Sequence, residues 1–307
     1  MDDADRRLIA ALIADGRASY TALSAEVGLS PDTVRDRVRR LERDHVVKVM
    51  AVFDPALLGF RSFALVGLRL AGPAADVAQE LTEAPELDFV VRTLGSYDIL
   101  AEFVCHDDRE LVDSIDALVK TVPGVLAVEA FPYLRIIKWT PPASRAFSLR
   151  DESLVATQLD DLDRRLAELL QMDGRANYRD LAHAAGVNYS TVRRRAQQLI
   201  SSGVVHITTE VNRLITGEEL PASILMRRNG TERDFETWVR DCPEVRVAVQ
   251  TAGSADILLD VACRDREHLA RLLHELHRFS GGSMDVALHA EILKLPASWT
   301  LHASRRS

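Results

Sequence analysis

Ser30, Thr33, Arg35 and Arg37 share one short stretch, "SPDTVRDR", and Ser190, Thr191, Arg193 and Arg195 share another, "YSTVRRR". Arginine clamps phosphate and reads guanine through two parallel N–H bonds, while a neighbouring hydroxyl both donates and accepts. Such a set suits a nucleic acid, although a merely solvated helix face uses the same residues. A second set is Gly95, Ser96 and Asp98 in "GSYD", matched by Gly253, Ser254 and Asp256 in "GSAD". A glycine turn offers free backbone N–H groups to a carboxylate, and a nearby aspartate meets an ammonium group. The competing role is structural, with glycine permitting a hairpin turn and aspartate capping it.

Both sets occur twice because the chain is duplicated. "DGRASY" at Asp15 to Tyr20 returns as "DGRANY" at Asp173 to Tyr178, an offset of 173 − 15 = 158. Around it, from Asp5 to Val47, about two positions in five are identical at that fixed offset. In each copy an amphipathic helix ends near a glycine and a short helix capped by Ser19 or Asn177 follows. After Gly28 or Gly186 comes a third helix, capped by Ser30 or Asn188 and rich in arginine. Helix, glycine turn, then a capped basic helix is a helix-turn-helix pattern, whose last helix enters the DNA major groove N-terminus first. The two helices differ in sequence, so the half-sites they select should be related but unequal.

The rest of each half reads strand, helix, strand, strand, helix, strand, with the glycine–aspartate turn between the middle strands. That order is the βαββαβ ferredoxin-like unit. The closing strands, "VLAVEAFPYLRIIKW" and "DVALHAEILK", fit only with two residues dropped, since 294 − 138 = 156. The second copy looks looser at "ITGEELPA", "HRFSGG" and "SGGSM". The fold class is therefore α+β. Expected domains are 1–52 (helix-turn-helix), 53–140 (βαββαβ), 141–160 (a linker rich in Pro, Ser and charge), 161–210 and 211–300.

Composition frames this reading. The 307 residues are 47% hydrophobic and 27% charged, as in a globular protein. Net charge is −8, but DNA meets only one face of a protein, and 34 of the 38 basic residues are arginines that cluster. No apolar run approaches a membrane span, and "MDDADRR" is unlike a signal peptide. Cys105, Cys242 and Cys263 are scattered, which points to reduced thiols in a cytoplasm and to no metal or disulfide framework. His268, His274 and His277 share a helix without a completing ligand, so they read as surface residues. Trp139, Trp238 and Trp299 read as packing residues. No nucleophile elbow, P-loop or dinucleotide fingerprint occurs, so neither enzymatic activity nor a cofactor is expected.

"DGRASYTALSAEVGLSPDTVRDRVRRLE", "GSYDIL" and their counterparts "DGRANYRDLAHAAGVNYSTVRRRAQQL" and "GSADIL" resemble the Lrp/AsnC (feast/famine) transcription regulators, twice over. The resemblance implies a winged helix-turn-helix followed by an ACT-like βαββαβ effector domain. It also implies double-stranded DNA and an amino acid or similar small effector as partners, and pairing into dimers or higher oligomers. Arg37 and Arg195 occupy the family's arginine position and are expected to contact phosphate. Three departures stand out. One chain can supply both halves of a dimer-like unit around a pseudo-twofold axis. Leu94 and Ala252 replace a threonine before the glycine, and Ala255 replaces the aromatic present at Tyr97, so the two effector sites are expected to differ. The alternative is a siroheme-decarboxylase-like enzyme, since those proteins resemble the same architecture and pair two nonidentical subunits.

Overall fold

A computed structural model describes residues 1–53, 59–84, 86–122, 124–139, 159–212, 217, 219–229 and 232–294. The first copy runs α1 Asp3–Ala14, α2 Tyr20–Val27, α3 Pro31–Arg43, β1 Val47–Val52, β2 Ser62–Leu70, α4 Ala75–Glu83, β3 Leu87–Leu94, β4 Ile99–Cys105, α5 Asp108–Thr121, β5 Val125–Pro132 and β6 Arg135–Trp139. The second runs α6 Asp161–Met172, α7 Tyr178–Ala185, α8 Tyr189–Ser201, β7 His206–Val211, β8 Leu220–Arg228, α9 Glu232–Asp241, β9 Val245–Gln250, β10 Ile257–Cys263, α10 Arg266–Leu276 and β11 Ser280–Lys294. This is the expected α+β architecture in two copies. Of the expected linker, 141–158 lies outside the described residues, as do 213–216 of "ITGEELPA" and Trp299.

The elements form two compact units, each assembled from matching parts of both copies. In the helical unit every cap read from the sequence is present. Ser19, Ser30, Asn177 and Asn188 each accept a backbone N–H of the first helical turn. Gly28 and Gly186 take the left-handed conformation (φ 72° and 65°) that ends a helix without the penalty a Cβ carries. Leu8, Leu12, Leu23, Val27, Val34 and Val38 form the first module's core. Val49 of β1 and Ile207 of β7 pack into it, so the second copy helps to build the first.

The ribbon that does this is an antiparallel ladder running from Val47 opposite Val211 to Val52 opposite His206. The repeated hexapeptides close the joint reciprocally. Arg17 donates to the carbonyls of Gly174 (2.6 Å) and Ala176 (3.0 Å), and Arg175 donates to those of Gly16 (2.5 Å) and Ala18 (2.8 Å). Each guanidinium also lies over the tyrosine of the opposite hexapeptide, Tyr178 at 5.3 Å and Tyr20 at 4.9 Å. The glycines are needed for close approach. A Cβ on Gly174 would sit 2.8 Å from Met50 N, and one on Gly16 would sit 2.9 Å from Val49 Cγ1.

The duplication left one mismatch. Gln171, on α6, stands where the first copy has Ile13; it is fully buried, and neither amide atom has a hydrogen-bond partner among the described residues. A buried polar group without a partner costs about 1–3 kcal/mol. Gln171→Ile should therefore raise the stability of the helical unit by about that amount. Chemical denaturation checks it, and an unchanged or lower midpoint counts against the unpaired amide.

The second unit is a nine-stranded sheet in the order β5-β2-β4-β3-β11-β8-β10-β9-β6. Each copy contributes a ferredoxin-like sheet, and the copies join where β3 pairs with β11 and β9 with β6. The outer strands β5 and β6 are consecutive chain segments, so the sheet curls back on itself. The single closing strand expected in the first copy is thus broken at Tyr133-Leu134, its two pieces pairing with β2 and β9. In the second copy the closing strand begins earlier than expected, at Ser280, because a register shift between Ser280 and Met284 absorbs "SGGSM" within the strand.

Alternation along the strands gives each sheet face its own core. Ile99, Ala101 and Phe103 face the helices of the first copy, and Ile257, Leu259 and Val261 face those of the second. Leu100, Leu258, Phe131 and Val249 meet on the other face, with both copies contributing. Two of the four lysines tie the copies together. Lys138 donates to Val239 and Cys242 carbonyls at the end of α9, and Lys294 donates to that of Ala84 after α4. Burial lowers the pKa of both amines. Each strand therefore caps a helix of the opposite copy, where a cation is favoured.

Candidate functional site

The third helix of each module presents a polar N-terminal turn. Ser30 Oγ lies 2.8 Å from Thr33 Oγ1 and accepts the Thr33 N–H, so both exposed hydroxyls are held at the helix start. In the second module Asn188 Oδ1 accepts from Thr191 N and from Ser190 Oγ, both at 2.9 Å. Arg35 is steadied by Asp32 at 2.8 Å and by the Tyr20 ring. Arg193 and Arg194 are exposed, and no ion pair engages either among the described residues.

Arg37 and Arg195 have a different environment from the one expected. Arg37 Nη1 donates to Asp2 (2.7 Å) and Asp5 (2.8 Å), and Arg195 donates to Asp163 (3.1 Å) and Asp160. Bonding to Arg37 pulls the Asp2 carboxyl down to about 2, so the pair stays ionised at neutral pH. Asp2 and Asp160 cap the first helix of their modules, and Asp5 completes a reciprocal capping box with Asp2. These arginines therefore brace the third helix against the first. These carboxylates engage Nη1 of Arg37 and both Nη groups of Arg195, and so compete with the phosphate contact expected of the two arginines.

At the first glycine turn, a Cβ on Gly95 would meet Val286 O at 2.8 Å and Ala287 Cα at 3.0 Å, so the residue is dictated by packing on β11. Asp98 Oδ2 accepts the Leu70 N–H at 2.8 Å. At the second turn Gly253 has φ 118°, and Asp256 accepts from Arg227 Nη1 at 2.9 Å and from the Arg228 N–H at 3.3 Å. Both aspartates thus staple their turn to the neighbouring strand, the structural role that competes with ammonium binding.

The Tyr97/Ala255 difference also receives a packing explanation. A Cβ on Gly67 would lie 2.4 Å from the Tyr97 ring, so the tyrosine occupies the space above that glycine. At the equivalent positions of the second copy Leu225 is paired with Ala255, and all three side chains belong to the shared inner core. A large residue over none has been exchanged for a methyl over a large one. Sequence reading missed Glu129, which accepts the Tyr97 hydroxyl at 2.6 Å. Its equivalent at an offset of 156 is Asp285, a signal that was there to be read.

Comparison with known proteins bears directly on these modules. The AsnC-type helix-turn-helix domain matches residues 1–42 and 159–200. The family described as PF0864 C-terminal dimeric alpha+beta barrel domain matches 60–141, and the Lrp/AsnC ligand binding domain matches 223–284. The HTH-type transcriptional regulator FL11 of Pyrococcus horikoshii is 31% identical over 142 residues, which span 46% of this chain and 93% of the relative. The chain belongs to the Lrp/AsnC family. The HTH-type transcriptional regulator LrpA1 of Halobacterium salinarum matches at 31% over 128 residues, 41% of this chain and 90% of the relative. An Lrp/AsnC regulator of this length spans two such relatives end to end. The siroheme decarboxylase NirDL has the same fold across 99% of this chain and 98% of its own, at TM-score 0.60 and 13% identity. The chain is thus a DNA-binding transcription regulator of the Lrp/AsnC type, with two helix-turn-helix modules, one dimeric alpha+beta barrel-type domain and one ligand-binding-type domain. Among the described residues no helix is long and apolar enough to cross a membrane.

Proposed function

We propose that the helical unit binds one DNA site with two related, unequal half-sites, and that an amino acid or similar small effector adjusts that binding through the sheet unit. The reading rests above all on the reciprocal Arg17/Arg175 joint and the β1–β7 ladder. Together they hold two recognition helices in one fixed relation, which in an ordinary regulator takes two chains. Ser30, Thr33 and Arg35 read one half-site, and Ser190, Thr191 and Arg193 read the other. Arg39, Arg43 and Arg194 supply phosphate contacts beside them, with Arg37 and Arg195 as braces. Fused pairs associate further as homodimers or higher oligomers.

Selection of genomic fragments by the purified protein tests this, with binding repeated across salt concentrations. A few intergenic sites with an imperfect dyad and a steep salt dependence are expected. The pairs Arg35→Ala with Arg39→Ala and Arg193→Ala with Arg194→Ala should each weaken binding at least tenfold and flatten the salt slope by about one per lost phosphate contact. Loss from one pair only would mean that a single module touches DNA. Sequence-blind binding together with a spectral shift on mixing with a haem-like tetrapyrrole would favour a decarboxylase, the reading that full-length likeness to NirDL suggests.

A further inference from the structure

Helices α5 and α10 are alike on their buried side and opposite on their exposed one. They align at the constant offset of the repeat, since Asp107 and Asp265 cap them and 265 − 107 = 158. Leu111 and Leu118 of α5 recur as Leu269 and Leu276 of α10, all four buried. The exposed charges are exchanged instead. Asp108, Arg109 and Asp113 become Arg266, Glu267 and Arg271, and Asp116 becomes His274. Val112 among them becomes Ala270, and every one of these residues is exposed. Solvation asks only that such positions be mostly polar, not that each sign be inverted. Among the described residues Arg266, Glu267 and Arg271 enter no ion pair within the chain.

The two helices lie on opposite outer sides of the sheet unit. The core beneath α5 belongs to the first copy and the core beneath α10 to the second, with the shared inner core between them. Neither helix can therefore reach the other within one chain. Packing α5 on a second α5 would oppose aspartate to aspartate, and packing α10 on α10 would oppose arginine to arginine. A contact of like with like, which a true twofold axis makes, is thus disfavoured. Packing α5 of one chain on α10 of another sets opposite signs together around the small apolar residues Val112 and Ala270.

We propose that the acidic α5 face of one chain docks on the basic α10 face of a second copy, so that fused pairs join head to tail. The proposal rests on the reading above that fused pairs associate further, and adds the surface and its direction. Each contact leaves an α5 and an α10 at the two ends. Association therefore continues from chain to chain, as a ring where the rotation closes and as a filament where it does not.

Sedimentation velocity of the full chain tests it. The wild type should associate in about 0.1 M salt and fall to single-chain mass in about 1 M, where the screening length shrinks from about 10 Å to about 3 Å. Asp113→Arg with Asp116→Arg makes both faces basic, and Arg266→Glu with Arg271→Glu makes both acidic. Each double variant should associate at least roughly tenfold more weakly than the wild type, because like charges then meet. Mixed in equal amounts, the two should associate again, since each offers the face that the other lacks. Absence of that rescue between variants whose circular dichroism matches the wild type would overturn the pairing, as would undiminished association of either variant alone. Wild-type association that withstands the higher salt would overturn it without any variant. These results leave the association reading in place, whereas a wild type of single-chain mass at every salt and protein concentration would overturn that reading too.

Discussion

Gly174→Val should separate the two DNA-reading modules and weaken operator binding about a hundredfold, the largest single-residue effect expected on DNA affinity. The new Cβ would lie 2.8, 2.9 and 3.0 Å from N, Cα and C of Met50. Those are backbone atoms of β1, fixed by the ladder to β7, with Met50 opposite Thr208. Nothing there is the loose end of a side chain, so the hexapeptide must withdraw. Its N–H bond to Val49 O (2.9 Å) and the Arg175 bonds then go with it. Overpacking and the three lost hydrogen bonds cost together about 3–7 kcal/mol. Affinity falls further because two half-sites held in register act at high effective concentration, worth about 10²–10⁴ when linked. Gly16→Ala should be milder, since its neighbours are the side chains of Val49, Ile207 and Thr209. Gly186→Ala, with nothing within 4 Å, should cost only the left-handed backbone penalty and leave operator binding at high protein concentration unchanged. Fluorescence anisotropy on one selected operator measures all three. Tight binding by Gly174→Val would mean that the modules do not need the joint.

The difference between these glycines shows what a sequence discloses. Gly28 and Gly186 were legible because a helix end followed by a capped helix start is a local pattern, and the structure places each in the left-handed conformation. Gly16 and Gly174 read only as part of a repeated turn. Their function depends on a strand from the opposite copy, and no local pattern reports a contact across 157 or 159 positions. The bracing ion pairs of Arg37 and Arg195 were not legible for a related reason. Helical spacing puts them on the solvent side of their own helix, while Asp2, Asp5, Asp160 and Asp163 come from another one. The repeat did contain the clue, since Asp5 and Arg37 recur together as Asp163 and Arg195. The βαββαβ order was legible from alternation and turn residues. The join of the two sheets was not, because β11 must pair with β8 along one half and with β3 along the other.

The inner face of the sheet carries the other large effect. Glu102→Gln should stabilise the protein by about 2 kcal/mol at pH 8 relative to pH 6.5 and abolish most of the pH dependence between them. Glu102 points away from the helix-facing residues of β4 and is 7% exposed. Burial, with Asp88 and Asp260 near it, pushes its carboxyl up to about 8, and it accepts the Tyr133 hydroxyl at 2.6 Å. The sign follows from proton counting. Between the unfolded value of 4.5 and the folded value of about 8, the native protein holds a proton that the unfolded chain has released. Stability contributed by the protonated acid is therefore full below 4.5 and is lost as pH rises toward 8, at about 1.4 kcal/mol per pH unit. Its neighbours act elsewhere: Asp260, raised by burial to about 6, finishes titrating near there, and His289, lowered by burial to about 4, opposes the trend only below 6.5. From 6.5 to 8 the slope therefore belongs to Glu102. The amide keeps an acceptor for Tyr133 and never ionises, so denaturation midpoints of Glu102→Gln should run level across that window while those of the wild type decline. Parallel declines in the two proteins would show that the carboxyl ionises at its ordinary value and that the inner face is wetter than its packing implies.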